Sequence, residues 1–172
     1  MQIKDFLLDT NIIASYTELK SGCKSPECHN LDRNLSKLMG DPKLLVSVIS
    51  VGEIEYGLNV APTKDIVQQQ LTREVVAQFP ILNIDSNVAK NYGSLRGKLF
   101  NHCFGKNRRG SNKRRLEEWL NPATSKELQI QENDLWMVSI AMTYNLTFVT
   151  HDKMIPLKFI ADPDVSFEDW LI

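Results

Sequence analysis

Apolar residues in this chain come in short blocks separated by longer stretches with helical spacing. Residues 3–8 (IKDFLL) form a short strand candidate, and the Asp9, Thr10 and Asn11 that end it can cap a helix begun by Ile12 and Ile13. Residues 18–30 are polar, contain Gly22 and Pro26, and read as a loop; residues 31–39 read as a short helix stopped by Gly40, Asp41 and Pro42. Residues 44–49 are a continuous apolar run of the kind a strand buried on both faces requires. From Ser50 the spacing turns helical through Ile54 and Leu58, and residues 65–79 carry another helix ahead of Pro80. Residues 81–84 are a third strand, and Asp85 and Ser86 cap a helix through Val88, Tyr92, Leu95 and Leu99. Asn133 opens a helix through Val138, Ala141 and Met142, and residues 147–150 are a fourth strand running into His151 and Asp152. A fifth strand falls at Phe159 and Ile160 or near Val165.

Short strands alternating with helices imply right-handed crossovers. The expected fold is therefore α/β: a three-layer sandwich with a central, mostly parallel sheet of about four to five strands flanked by helices. A length of 172 residues suits a single domain over residues 1–172. The pattern breaks at residues 104–115 (FGKNRRGSNKRR), followed by LEEWL, Pro122 and a polar stretch, so residues 101–132 read as a basic insertion.

Composition narrows the class. With 42% hydrophobic and 24% charged residues the chain reads as globular, and a net charge of −1 excludes a protein whose whole surface is a polyanion glue. The first eight residues are too short and too charged for a signal peptide, and no apolar stretch approaches the roughly 18 residues of a membrane span. Three cysteines are not a disulfide framework and suit a reducing, cytoplasmic setting. Cys23, Cys28 and His29 lie close in sequence, but a zinc site would need closer cysteine spacing and a fourth ligand, so they are taken as loop residues.

The candidate chemistry lies in acids at element ends. In an open α/β sheet the binding crevice lies beyond the carboxyl ends of the strands, where Asp9 and Asp152 fall. Asp134 is in the first turn of its helix, with Val138 and Ala141 following on the same face, and Glu53 is in the first turn of the helix after the second strand. Each acid also has a plain structural explanation: Ser50 to Glu53 matches a capping box, and Asn133 and Asp134 make an ordinary helix start. Four acids gathered at one sheet edge would repel one another unless a cation neutralised them, and an all-carboxylate set selects Mg²⁺ or Mn²⁺ over zinc.

Three segments carry a family likeness. LLDTNII, SVISVGEIEYGL and ENDLWMVSIAMTYNLTFVTHD resemble the ordered motifs of PIN-domain proteins, most nearly the VapC-type toxin ribonucleases. The resemblance implies Mg²⁺-dependent hydrolysis of RNA phosphodiester bonds. It places the acidic quartet, as catalytic residues and metal ligands, on Asp9, Glu53, Asp134 and Asp152, with Asn11 and Thr150 as polar auxiliaries. For a toxin it also implies a small antitoxin and a homodimer. Lys106, Arg108, Arg109, Lys113, Arg114 and Arg115 could supply the positive surface that an acidic site needs to hold RNA, or simply be a solvated loop. The long stretches 18–42 and 101–132 leave the substrate and the toxin assignment open, and three alternatives stand beside it: a standalone PIN-domain RNase, a silent RNA-binding scaffold on the same fold, and a receiver-type phosphoacceptor domain. The last expects a paired acid and a late lysine that are not in convincing register.

Overall fold

The structure is a computed structural model of the chain, described here over residues 4–62, 65–105 and 115–172. Five strands form one sheet in the order β3-β2-β1-β4-β5: β1 is Phe6–Leu8, β2 Leu44–Ser47, β3 Ile81–Leu82, β4 Thr147–Val149 and β5 Ser166–Glu168. Leu8 pairs with Val46 on one side and Val149 on the other, and Val46 with Ile81; all three pairings are parallel. The expected α/β fold with a parallel sheet is thus what the chain adopts. Buried on both faces, these strands need unbroken apolar runs rather than alternation.

The chain packs as two compact units. The first comprises residues up to 83 with 146–151 and 167–172, and holds the sheet with helices α1 (Thr10–Lys20), α2 (Pro26–Ser36), α3 (Val48–Val60) and α4 (Ile66–Val76). Its core joins Leu8, Val46 and Val149 of the central strands to Ile12 and Ile13 of α1, and extends to Val75 of α4 and Trp170 near the C-terminus. Each such side chain contributes about 1.5–3 kcal/mol when fully buried.

The second unit, residues 84–145 and 152–166, is built on α5 (Ser86–Phe104), α6 (Glu132–Tyr144) and α7 (Ile155–Ala161). Val88, Leu95 and Leu99 bury one stripe of α5, while every position of α6 from Leu135 to Ala141 except Trp136 is buried. Tyr92 stacks on Trp136 with ring centroids 3.8 Å apart and planes within 6°. After the basic segment, a 3₁₀ turn at Leu116–Glu118 buries Leu116, and Trp119 packs edge-on to Phe100 and Phe104.

Three sequence expectations are corrected or resolved. The stretch 18–30 is largely helical, because α1 continues to Lys20 and α2 begins at Pro26 with Ser25 as its N-cap. Proline at a first helical position costs no hydrogen bond, so Pro26 starts a helix instead of marking a loop. The helix after β2 starts at Val48 and is capped by Ser47, not Ser50, which moves Glu53 out of the first turn. Phe159 and Ile160 belong to α7, so the fifth strand is the alternative near Val165. Of the insertion's cations, Lys106, Arg108, Arg109, Lys113 and Arg114 lie outside the described residues; Arg115 is exposed at the edge of the 3₁₀ turn.

Candidate active site

The junction of β1 and α1 turns a buried strand directly into a helix start. Asp9 continues the ladder through its N–H to the Val149 carbonyl at 2.9 Å, then caps α1, its own carbonyl accepting from Ile12 at 3.0 Å and Ile13 at 3.1 Å. Strand pairing and capping together fix the side chain of Asp9, which is only 3% exposed. Its Oδ1 accepts from the Thr10 N–H at 2.7 Å, and its Oδ2 from Asn11 Nδ2 at 3.1 Å and Thr150 Oγ1 at 2.5 Å. Burying a carboxylate is costly unless it is hydrogen-bonded, and bonds to a charged group recover about 1.5–3 kcal/mol each.

Thr150 reaches Asp9 because the parallel register pairs Leu8 with Val149, so the next residue on each strand emerges side by side at the carboxyl edge. Thr150 is fully buried, and its N–H donates to the Glu168 carbonyl at 2.9 Å. On the other side of Asp9, Thr10 donates its hydroxyl to Oε2 of Glu53, a half-buried residue in the second turn of α3. Asn11 Oδ1 accepts from the His151 N–H at 3.3 Å, and the His151 ring nitrogen Nδ1 meets Asp169 Oδ2 at 2.9 Å. The first unit therefore gathers Asp9, Asn11, Glu53 and Thr150, all four named from the sequence. It adds Thr10, whose position inside the capping sequence DTN concealed its role as the bridge between the two acids.

Asp134 and Asp152 belong to the second unit. Asp134, in the first turn of α6, folds back so that Oδ2 accepts from the Gln131 N–H at 2.6 Å, the return half of a capping box. Asp152 is exposed beyond β4, and its carbonyl accepts from Lys158 Nζ at 2.8 Å. Next to Asp134 on α6, Glu132 accepts from the Tyr92 hydroxyl and pairs with Arg96, and burial raises its carboxyl above the ordinary value. Sequence reasoning left Glu132 in a polar linker; the signal was its place at the start of the apolar helical run.

Asp9 and Glu53, with the hydroxyls and carboxamide around them, present oxygen ligands only. That donor set suits a hard divalent cation such as Mg²⁺ and is a poor match for a thiophilic one. A metal held there would face the carboxyl ends of β1 and β4, the place where open α/β sheets bind ligands.

A family model described as "PIN domain" matches residues 6–158. Among solved structures, VapBC2 from Rickettsia felis, bound to a DNA fragment from its promoter, is 22% identical with a TM-score of 0.64, covering 96% of this chain and 98% of that one. FitAcB from Neisseria gonorrhoeae is 22% identical with a TM-score of 0.65, covering 96% and 97%. VapBC-5 from Mycobacterium tuberculosis, a member of the VapBC family of toxin-antitoxin systems, is 23% identical with a TM-score of 0.57, covering 96% and 97%. No curated protein matches the chain. No helix among the described residues is long and apolar enough to cross a membrane.

Proposed function

The chain belongs to the PIN-domain family, and from that membership and the buried acid at the end of β1 we propose that it is a metal-dependent endoribonuclease acting as the toxin of a toxin-antitoxin pair. The observation that carries the reading is Asp9: a carboxylate 3% exposed, gripped by Thr10, Asn11 and Thr150, and linked through the Thr10 hydroxyl to Glu53. A fold seeking stability alone gains little from burying an acid beside a second acid; a fold that must hold a cation needs such a place.

Asp9 and Glu53 would hold Mg²⁺ in the first unit, and the sequence resemblance adds Asp134 and Asp152 to the ligand set. When bound, Mg²⁺ supplies a water of lowered pKa and stabilises charge on the phosphate oxygens. The protein's own part is positional. Thr150 and Asn11 fix Asp9 Oδ2 in one orientation, Thr10 fixes Glu53, and the basic stretch from Lys106 to Arg115 would offset the repulsion between these acids and an RNA backbone. The toxin reading draws on the VapBC and FitAcB structures, and it brings a small antitoxin and a homodimer as partners.

The test is incubation of purified, antitoxin-free protein with a mixed RNA pool, with Mg²⁺, with EDTA, and as Asp9→Asn. Mg²⁺-dependent cutting that EDTA and Asp9→Asn both abolish is the expected result, and Asp134→Asn and Asp152→Asn test the rest of the quartet. Intact RNA after incubation with folded wild-type protein and Mg²⁺ would overturn the nuclease reading in favour of a binding scaffold.

A further inference from the structure

The connection between α1 and α2 holds a second set of metal-ligating side chains, of opposite chemical character. Helix α1 ends in a turn through Gly22, whose φ of 85° lies in the left-handed region that favours glycine, and the Cys23 N–H closes back onto the Glu18 carbonyl at 3.0 Å. That turn sets Cys23 beside Glu18. Ser25 then caps α2, its Oγ accepting from the Cys28 N–H at 3.2 Å, which places Cys28 in the first turn of the helix and 1% exposed. The ligand atoms of Glu18, Cys23 and Cys28 all lie within 4.8 Å of one another.

We propose that Glu18, Cys23 and Cys28 bind a thiophilic divalent cation of the zinc class. Four residues separate the cysteines, the widest spacing that structural zinc sites use, so the spacing objection raised from the sequence falls, and the third ligand comes from the preceding helix, where the sequence alone showed only a loop. Two sulfurs and one carboxylate select zinc over magnesium, so this site and the oxygen-only site at Asp9 would not compete for the same ion. The Ser25 N–H donates to Cys23 Sγ at 3.4 Å, a contact that a metal-bound thiolate would keep. Cys28 is buried, and a bound cation would supply the charge that deprotonates both thiols. Three protein ligands leave a fourth position to water, and Glu18 lies on the exposed side. A cation here ties the last turn of α1 to the first turn of α2, and so anchors the helix whose other end is capped by Asp9.

The experiment uses the full chain, reduced and freed of metal, titrated with Zn²⁺ against a chromophoric chelator and with Co²⁺ for the sulfur-to-cobalt charge-transfer band. One equivalent per chain and a thiolate band are expected. Loss of outer partners alone weakens metal sites about 10–100-fold, so Cys23→Ser is expected to weaken Zn²⁺ binding by about 100-fold or more. Because Cys28 is buried and Cys28→Ser could disturb folding, Cys23→Ser and Glu18→Gln, both at more exposed positions, carry the test. Cys103→Ser and Asp9→Asn should leave binding unchanged, which separates this site from the third cysteine and from the acids of the proposed nuclease. Unchanged Zn²⁺ affinity in Cys23→Ser, Co²⁺ binding without a thiolate band, or a Cys23–Cys28 disulfide whose reduced form takes up no metal would each overturn the proposal.

Discussion

Thr150 Oγ1 donates to Asp9 Oδ2 at 2.5 Å, with both residues buried at the carboxyl ends of adjacent parallel strands. The bond holds the acid in one orientation, which matters to a metal ligand far more than to a helix cap. Thr150→Val keeps the side-chain shape and removes the donor. We expect it to raise the Mg²⁺ concentration needed for half-maximal RNA cleavage by about 10–100-fold, with Thr150→Ser restoring most of the loss. A Mg²⁺ titration of the cleavage rate checks this; equal curves for Thr150→Val and the wild-type protein would make Thr150 a packing residue only.

Asp9 both caps α1 and, in the proposed function, binds the metal, and one substitution separates the two roles. Asparagine caps helices about as well as aspartate but its Nδ2 cannot accept from Asn11 Nδ2, so Asp9→Asn should lower the melting temperature only modestly while RNA cleavage falls by at least about 100-fold. Thermal melting and cleavage assays on the same preparation decide it. A large loss of stability would mean that the substitution reports on the fold instead of the chemistry.

The legible parts of this molecule were those where one residue type has one meaning. An apolar run ending in an acid marked Asp9, whereas Thr150 came only with the family resemblance, and it is the parallel register that sets it beside Asp9. Where two residues offer the same signal, the sequence was ambiguous. Ser47 and Ser50 are both good caps three residues apart, and the β-branched Val48 and Ile49 look like strand, yet the chain turns helical at Val48 and Ser47 takes the capping role. Proline misled at Pro26, which lies in the first turn of a helix. Thr10 and Glu18 were invisible for a different reason: their partners, Glu53 and Cys28, come near only through tertiary packing or a left-handed turn.

The Ser47 cap carries a measurable share of the first unit's stability. Its Oγ accepts from the Ser50 N–H at 2.9 Å and meets Ser50 Oγ at 2.8 Å, and both serines are fully buried. Ser47→Ala removes a cap and takes a partner from a buried hydroxyl, so a loss of about 2 kcal/mol is expected. Urea unfolding measures it as a lower midpoint at unchanged slope. A shift within a few tenths of a kcal/mol would mean that Ser50 finds a replacement partner at no cost.

Asp85 ties the start of α5 to the end of α6 and makes the second unit's stability depend on pH at both ends of the scale. Its Oδ1 accepts from the Val88 N–H at 2.9 Å and the Asn87 N–H at 2.8 Å, and its Oδ2 from the Tyr144 hydroxyl at 3.0 Å. The Val88 N–H, with help from Tyr144 and Asn87, holds the Asp85 carboxyl below its ordinary value, and the same carboxylate holds the Tyr144 phenol above its own. A depressed acid stabilises the fold above its unfolded value, about 3.9, and loses that contribution as pH falls through the lower folded value. A raised phenol does so below its unfolded value, about 10, and loses it as pH rises through the higher folded value. Asp85→Asn keeps the cap but cannot titrate, so the stability gap between wild type and variant should close below about pH 4. Tyr144→Phe should close its own gap above about pH 10. Urea midpoints across both ranges test the pair, and a gap that stays constant with pH in either variant would show that the hydrogen bond is not what shifts these groups.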